Sequence, residues 1–571
     1  MHFHGHRKPI TPFCSLPMIL IVLLATALTA NAATKKHPFC RALAAGKVHA
    51  SSGAQMWCFG PQQNGPAAEV SFNSLLVPTT PGSGFLTNNV NAASLSEDIT
   101  TNGERGSGQS ETTIAASGRY VLEGWNDSTG FFAPCPSPLN QQELSGVGFS
   151  GDGGKTFVDL GGLPNSNCNA FRYEGDPAIA AYVAGGFTYF YYASLYPSFT
   201  GTDFNSIALA ACQVRPGNPA NLACSQPIIA GASTQCEFGF CSFLDKDFVA
   251  VDAVHGRLYV TYTEFFITGG TQIEVASCDL GNALGGPGPL GGLPATPVCE
   301  NGSAASFTTP PPPYLIVQPA DLVHFCELEG SYPATSKGGD LYVANEFNWG
   351  DGCQSPHLEQ VAFIPQVCLT LPSASCGPAA TNEIPIVSTD LTIFPGYSRG
   401  VGNDFPRIAV SDSKGTVSIV WNDTRSNPQA DILLQSLWLG NLVPVQFAPV
   451  KLNNDIVIGT MHFLPSLRHA DAKGLLNVAW YDRRRHPNSA ETDMYAALGV
   501  DPTTMSTPAS NVRVTNVASD WLSVGSIINP NFGDYTDNFI DISGTTSTMF
   551  VAWSDGRFNI PQPFAAHQGV K

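Results

Sequence analysis

The sequence predicts an all-β protein built by repeating one hairpin unit, and three observations predict it. Gly and Pro supply 56 and 44 of 571 residues, enough to demand many turns without reaching low-complexity levels. The strand-like stretches are short, rich in Val, Ile, Tyr and Trp, and alternate only partly, as strands covered on both faces do. One pattern also recurs seven times: an acid, an apolar strand, a Gly- or Asp-containing corner, and a second strand ending in an aromatic or small residue, any residue, then usually an acid.

The copies are 111–127 (ETTIAASGRYVLEGWND), 176–194, 245–264, 329–346, 404–423, 464–482 and 534–555, and only the second, ending at Ser194, lacks the final acid. Successive copies start 60 to 84 residues apart, room for two further strands with the surplus in loops such as 285–294 and 310–313. Four-stranded sheets arranged radially hide their faces against one another and leave only short edges, which is the logic of a β-propeller. Residues 105–571 are therefore expected to form one seven-bladed β-propeller, with a six-bladed ring plus one irregular copy as the alternative.

The N-terminal elements read differently. In 1–32, Arg7 and Lys8 precede an apolar run over 18–30 that ends in Ala30-Asn31-Ala32, the pattern of a cleaved export signal too short to span a bilayer. Residues 33–104 carry Cys40 and Cys58 and little periodicity, and are expected to lie as a strap over the ring. The mature chain is thus read as secreted, periplasmic or extracellular, soluble and monomeric. With 45 acidic against 27 basic residues and no Lys/Arg stripe, nucleic acid and anionic membranes are poor partners.

Beyond Cys14 in the signal, an even set of cysteines remains, which fits disulfides in an oxidising compartment. Nearest-neighbour pairing gives Cys40/Cys58, Cys135/Cys168, Cys212/Cys224, Cys236/Cys241, Cys278/Cys299, Cys326/Cys353 and Cys368/Cys376, although spacing alone does not fix connectivity. No Cys/His cluster has zinc spacing, and no P-loop, H-E-x-x-H or dinucleotide fingerprint occurs. No cofactor is expected; acid-rich strand ends permit a structural Ca²⁺, without EF-hand spacing. The G-x-S-x-G match at 396–400 sits in an all-β loop rather than on a strand-to-helix elbow.

Two local motifs carry a resemblance. Ser150, Asp152, Gly154, Thr156 and Phe157 fill the five positions of the Asp-box, S-x-D-x-G-x-T-[WF], in which side chains close a tight turn and the aromatic tucks into the sheet. Strand ends Trp421-Asn422-Asp423-Thr424-Arg425, Trp480-Tyr481-Asp482-Arg483-Arg484 and Trp553-Ser554-Asp555-Gly556-Arg557 share W-x-D-x-R, while Trp125-Asn126-Asp127 lacks the Arg. On these residues the chain resembles the sialidase-like (bacterial neuraminidase repeat) propeller superfamily, in organisation over 111–565 and in one Asp-box. In copies two to four, Cys212/Cys224, Cys278/Cys299 and Cys368/Cys376 fall about where further boxes would lie, so disulfides are expected to staple those hairpins.

The resemblance implies an exo-sialidase: a retaining hydrolase with a Tyr nucleophile polarised by Glu, an Asp acid/base, and three arginines clamping a sugar carboxylate, outside the two-carboxylate rule for glycosidases. The family's first arginine-bearing strand corresponds here to Glu111-Thr112-Thr113-Ile114, without Arg, and the similar Phe405-Pro406-Arg407-Ile408 lies in the fifth copy. In the usual propeller winding, the acids opening each copy and those ending the second strands ring one mouth of the channel. Recurrent acids such as Asp176, Asp404, Asp423, Asp482 and Asp555 are expected to cap strands or pair with the Arg of their own turn. Residues that do not recur are the functional candidates: Tyr173, Glu174, Glu327 and Asp537 as catalytic groups, and Arg172, Arg399, Arg407, Arg468, His469 and Tyr535 as substrate-binding ones. The expected function is glycan-directed, of exo-sialidase type. A non-catalytic carbohydrate- or protein-binding propeller is the alternative, and a polysaccharide lyase using Tyr173 or His469 is a third reading.

Overall fold

The computed structural model describes residues 37–62, 89–96, 107–132, 143–163, 173–197, 205–280 except 216, 218–220 and 238, 296–299, 315–349 except 319 and 321–325, 353, 358–370, 382–387, 395–398, 403–456, 459–505 and 511–570. The proposed export signal, Cys135, Cys168 and Cys376 lie outside them. Among the described residues no helix is long and apolar enough to cross a membrane.

Among the described residues seven antiparallel blades form a seven-bladed β-propeller, built in chain order from the inside outward except at the outer strand of blade 7, with one separate two-stranded hairpin, Cys236–Glu237 with Phe240–Cys241. The inner strands are Gln109–Ser117, Ala178–Ala184, Phe243–Asp252, Glu327–Thr335, Arg407–Ser411, His462–Ser466 and Asp537–Asp541, for blades 1 to 7. Their second strands, such as Tyr120–Asp127 and Thr416–Asp423, are buried almost throughout, because each sheet is sandwiched between two others. That double burial explains the weak alternation of the sequence. Blade 7 takes its outermost strand from the other end of the chain: Val90 pairs with Ala565 and Asn91 with Phe564. Asn89 beside it accepts from the Asn516 N–H (2.7 Å) and donates to the Val514 carbonyl (3.0 Å).

The local motifs fold as their chemistry dictates. In the Asp-box, Asp152 accepts from the N–H groups of Lys155 and Thr156 (both 3.0 Å) and from Thr156 Oγ1 (2.7 Å), while Ser150 Oγ accepts from the Gly154 N–H (2.9 Å). Gly153 and Gly154 adopt φ of 83° and 79°, which the turn requires and a Cβ resists. In blades 5, 6 and 7 the strand-end Asp takes the indole N–H of the preceding Trp (3.0, 2.8 and 2.9 Å) and a bidentate grip from the following Arg, with Nη2 at 2.7 Å in each case. Asp423, Asp482 and Asp555 are scaffold residues. Among the described residues five disulfides join two described cysteines: Cys40–Cys58, Cys212–Cys224, Cys236–Cys241, Cys278–Cys299 and Cys326–Cys353. Cys212 faces Cys224, and Cys278 faces Cys299, across the third-to-fourth strand pairing of blades 2 and 3.

Blade 1 lacks the Arg, and this has an energetic consequence. Burial, then the charge of Asp159, pushes the Asp127 carboxyl up to about 6. A carboxyl whose folded pKa is raised favours the native state while protonated, and that advantage is lost as pH rises through about 6. Asp127→Asn keeps the acceptor for the Thr129 N–H (2.9 Å) and removes the charge. It is expected to raise stability at pH 8 by about 1–3 kcal/mol, with the gain vanishing near pH 4, as followed by thermal melts across pH.

Candidate functional site at the axial mouth

Most inner strands begin with a bulge that turns one residue onto the axis. Glu111, Asp176 and Lys246 sit at φ of 54°, 53° and 58°, a left-handed conformation that Gly330 (67°) and Leu464 (47°) adopt in blades 4 and 6. Strand register slips at the same places in blades 1, 3, 4 and 6. Such bulges re-aim side chains at sheet ends, and the left-handed backbone costs a non-glycine residue about 1–2 kcal/mol. Neighbouring blades offset it: Asn126 Oδ1 accepts the Asp176 N–H (2.6 Å) and Asn422 Oδ1 that of Leu464 (3.1 Å); Glu346 Oε1 takes the N–H of Asp404 (2.7 Å), which is not left-handed, in the same way.

An outer tier of charge results. Lys246, wholly buried, crosses the axis to pair with Asp534 and lies over the Phe405 ring at 4.9 Å. Tyr397 donates its hydroxyl to Asp534 Oδ1 at 2.7 Å. Burial lifts the Glu111 carboxyl against the pull of Lys246, and burial together with the charge of Glu111 lifts Asp176 well above the carboxylate range.

Deeper in the channel lies a second tier. Asp537 accepts from Tyr332 Oη (3.0 Å), Thr113 Oγ1 (3.0 Å) and Arg468 Nη1 (2.9 Å). Arg468 also donates to the carbonyls of Ile114 (3.3 Å) and Val249 (3.0 Å), so one side chain ties blade 6 to blades 1, 3 and 7. The Arg407 guanidinium lies over the rings of Phe248 (4.7 Å), Tyr332 (4.8 Å) and Tyr535 (5.7 Å). Burial, then the charge of Asp537, raises the Tyr332 phenol. Among the described residues, Arg407 Nε, Tyr535 Oη, both oxygens of Asp247 and Glu329 Oε1 are buried and make no hydrogen bond.

The mouth is covered. Helices α1 (Pro38–Ala44) and α2 (Ser52–Phe59) are joined by Cys40–Cys58, and the start of α2 points into the acids. The Ser51 N–H donates to Asp245 Oδ2 (2.9 Å), the Ser52 N–H to Glu111 Oε1 (3.2 Å) and the His49 N–H to Glu327 Oε1 (2.9 Å). Ser52 Oγ adds a bond to Glu111 (3.1 Å), and His49 Nδ1 meets Glu327 Oε2 at 2.9 Å. Phe39 stacks on Phe243 of blade 3 at 4.4 Å, with Trp57 on the same ring at 4.8 Å. Position 53 is glycine because α2 approaches the ring so closely that a Cβ there would lie 2.4 Å from the Glu174 carbonyl oxygen.

The residues singled out from sequence divide accordingly. Arg407, Arg468, Tyr535 and Asp537 come together at the axis. Glu327 lies at the mouth, engaged by His49. Tyr173 packs on Tyr192 (5.9 Å) and Tyr196 (5.2 Å) at the seam of blades 1 and 2, and Glu174 meets α2 through its carbonyl. His469 is exposed and sits edge-on to Phe539 at 4.9 Å. Arg172 and Arg399 lie outside the described residues. Asp176 and Asp404, expected to cap strands or pair with an Arg of the same turn, instead bond to Asn126 and to Asn422 and Glu346 at the mouth, Asp176 from a left-handed backbone and Asp404 without one. Tyr332, Lys246, Glu111 and Asp247 were not singled out. The one available signal was Lys246 itself, a cation following the opening acid of its copy. Among the described residues no group of three or more His, Cys, Asp or Glu is arranged to hold a metal ion.

No protein-family model and no curated protein sequence matches the chain. Solved structures do match at low overlap. An exo-1,5-α-L-arabinanase from a bovine ruminal metagenomic library aligns with TM-score 0.30 and 12% identity over 60% of this chain and 96% of its own. A Hadza microbial sialidase gives 0.34 and 11% over 75% and 73%. A Trypanosoma rangeli sialidase mutant displaying trans-sialidase activity gives 0.35 and 9% over 72% and 55%. Overlaps of this size carry no functional inference.

Proposed function

We propose that this seven-bladed propeller is glycan-directed, with its ligand site at the axial mouth. The observation that carries the reading is the mixture of unpaired groups buried there: a donor at Arg407 Nε, a hydroxyl at Tyr535, and acceptors at Asp247 and Glu329, beside the rings of Phe248 and Tyr332. Folded interiors rarely leave such groups unpaired. Sugar hydroxyls both donate and accept, and sugar C–H faces pack on aromatic rings, so a polyol matches the set. The five disulfides fit an exported chain that meets glycans in an oxidising compartment.

Within that reading, an exo-glycosidase of sialidase type would draw on Tyr332 and Asp537. A phenol whose pKa is raised needs a base to become a nucleophile, and Asp537 already accepts its proton bond at 3.0 Å. Arg407 and Arg468 would supply cations for a sugar carboxylate. The test is release of monosaccharide from a panel of sialylated and neutral glycans. Release of sialic acid that falls by roughly a hundredfold or more in Tyr332→Phe is the expected outcome. A non-catalytic binding propeller is favoured by one observation: the Arg468 guanidinium is already engaged by Asp537 and two carbonyls. On that reading glycans bind and none is cut.

A further inference from the structure

The segment 37–62 makes bonds at the mouth that a ligand would make. Three backbone N–H groups and one hydroxyl, from His49, Ser51 and Ser52, are directed at Glu327, Asp245 and Glu111. The positive end of α2 thereby faces a region where several carboxyls surround one lysine. No disulfide among the described residues ties this segment to the ring: its own bridge, Cys40–Cys58, is internal and makes the two helices one body. Its aromatic hold is one-sided, with Phe39 on Phe243 and Phe265, Trp57 on Phe243 and His37 on Phe240, all in or beside blade 3. Away from blade 3 its hold is smaller: Met56 packs with Leu144 and Ile528, Gln55 accepts from Asn529 Nδ2 (3.0 Å), Ser52 bonds to Glu111, and Gly53 lies close against the Glu174 carbonyl.

We propose that helices α1 and α2 are an autoinhibitory cap, a resident stand-in for a hydroxyl-rich ligand, which swings on its blade 3 contacts to uncover the acids of the mouth. The inference rests on the glycan reading of that mouth. The N–H and hydroxyl donors of the cap satisfy the carboxylates in the closed state, and sugar hydroxyls replace them in the open one. A ligand that binds only the open state has its apparent affinity reduced by the fraction of molecules that are open. Weakening the cap therefore tightens binding without touching a group that contacts the ligand.

Two full-length variants test it. Gly53→Leu drives a side chain into the Glu174 carbonyl and wedges α2 off the ring, and Trp57→Ala loosens the hold on blade 3. Circular dichroism identifies which of them keeps the native fold. Carbodiimide coupling of glycinamide, mapped by peptide mass spectrometry, reports access to Glu111 and Asp245 with no ligand present. Binding is read on the same sialylated and neutral glycan panel. The expected result is coupling at both carboxyls and panel affinity each rising about tenfold or more over wild type. If the folded variants couple no faster than wild type, segment 37–62 is a fixed part of the ring and the cap is overturned, leaving the glycan reading intact. If coupling rises while wild type binds as tightly as the variants, the cap is likewise overturned. If coupling rises and neither wild type nor variants bind any glycan, the glycan reading fails and the inference falls with it.

Discussion

Arg468→Met is expected to destabilise the protein by about 3–5 kcal/mol, the range for breaking a buried ion pair by removing one partner. The residue is 5% exposed, and its loss strips Asp537 of a cation at 2.9 Å and frees the carbonyls of Ile114 and Val249. The effect exceeds that of an ordinary hydrogen-bond deletion because three other blades lose an anchor together. Urea unfolding with a double-mutant cycle checks it. Asp537→Asn in the Arg468→Met background should recover part of the loss, since the stranded charge is then gone. A variant no less stable than wild type would show that the axis is held together without this residue.

Lys246→Met should cost about as much, roughly 3–5 kcal/mol at neutral pH, and here the pH dependence is diagnostic. Burial opposes the charge on Lys246, but Asp534, Glu111, Asp245 and Asp176 outweigh it and raise the ammonium above its usual value. Without the ammonium, Glu111 and Asp176, already lifted by burial, are lifted further. Carboxyls with raised folded pKa values stabilise the native state when protonated and lose that contribution as pH rises. The deficit of the variant relative to wild type should therefore shrink as pH falls from 7 toward 5. A deficit independent of pH would mean that lost packing on Phe405, rather than charge, sets the effect.

What could be read from sequence was what lies close along the chain. The Asp-box spans eight residues, the W-x-D-x-R corners bond at separations of two, and Cys212 and Cys224 face each other across one hairpin, so composition and spacing carry the geometry. Seven copies of one pattern made the ring legible for the same reason. The site was legible only in part. Asp537, Arg407, Arg468 and Tyr535 stand out because they do not recur, yet Tyr332 meets Asp537 at a separation of 205 residues and Lys246 meets Asp534 at 288. No local pattern encodes such encounters; they follow from ring closure and from bulges that reverse which way Glu111, Asp176 and Lys246 point. The covering of the mouth was equally hidden, since His49 reaches Glu327 across 278 residues.

The pairing of Val90 and Asn91 with Ala565 and Phe564 joins strands from opposite ends of the ring, so the last sheet is complete only when both are present. The strand needed last is translated first, and it waits through nearly the entire elongation for its complement to leave the ribosome. Until then the nascent seventh sheet has a bare edge capable of pairing with another polypeptide. A chain lacking Gln562–Val570 should therefore be a protease-sensitive arc of blades, and restoring that strand should convert it to a resistant circle.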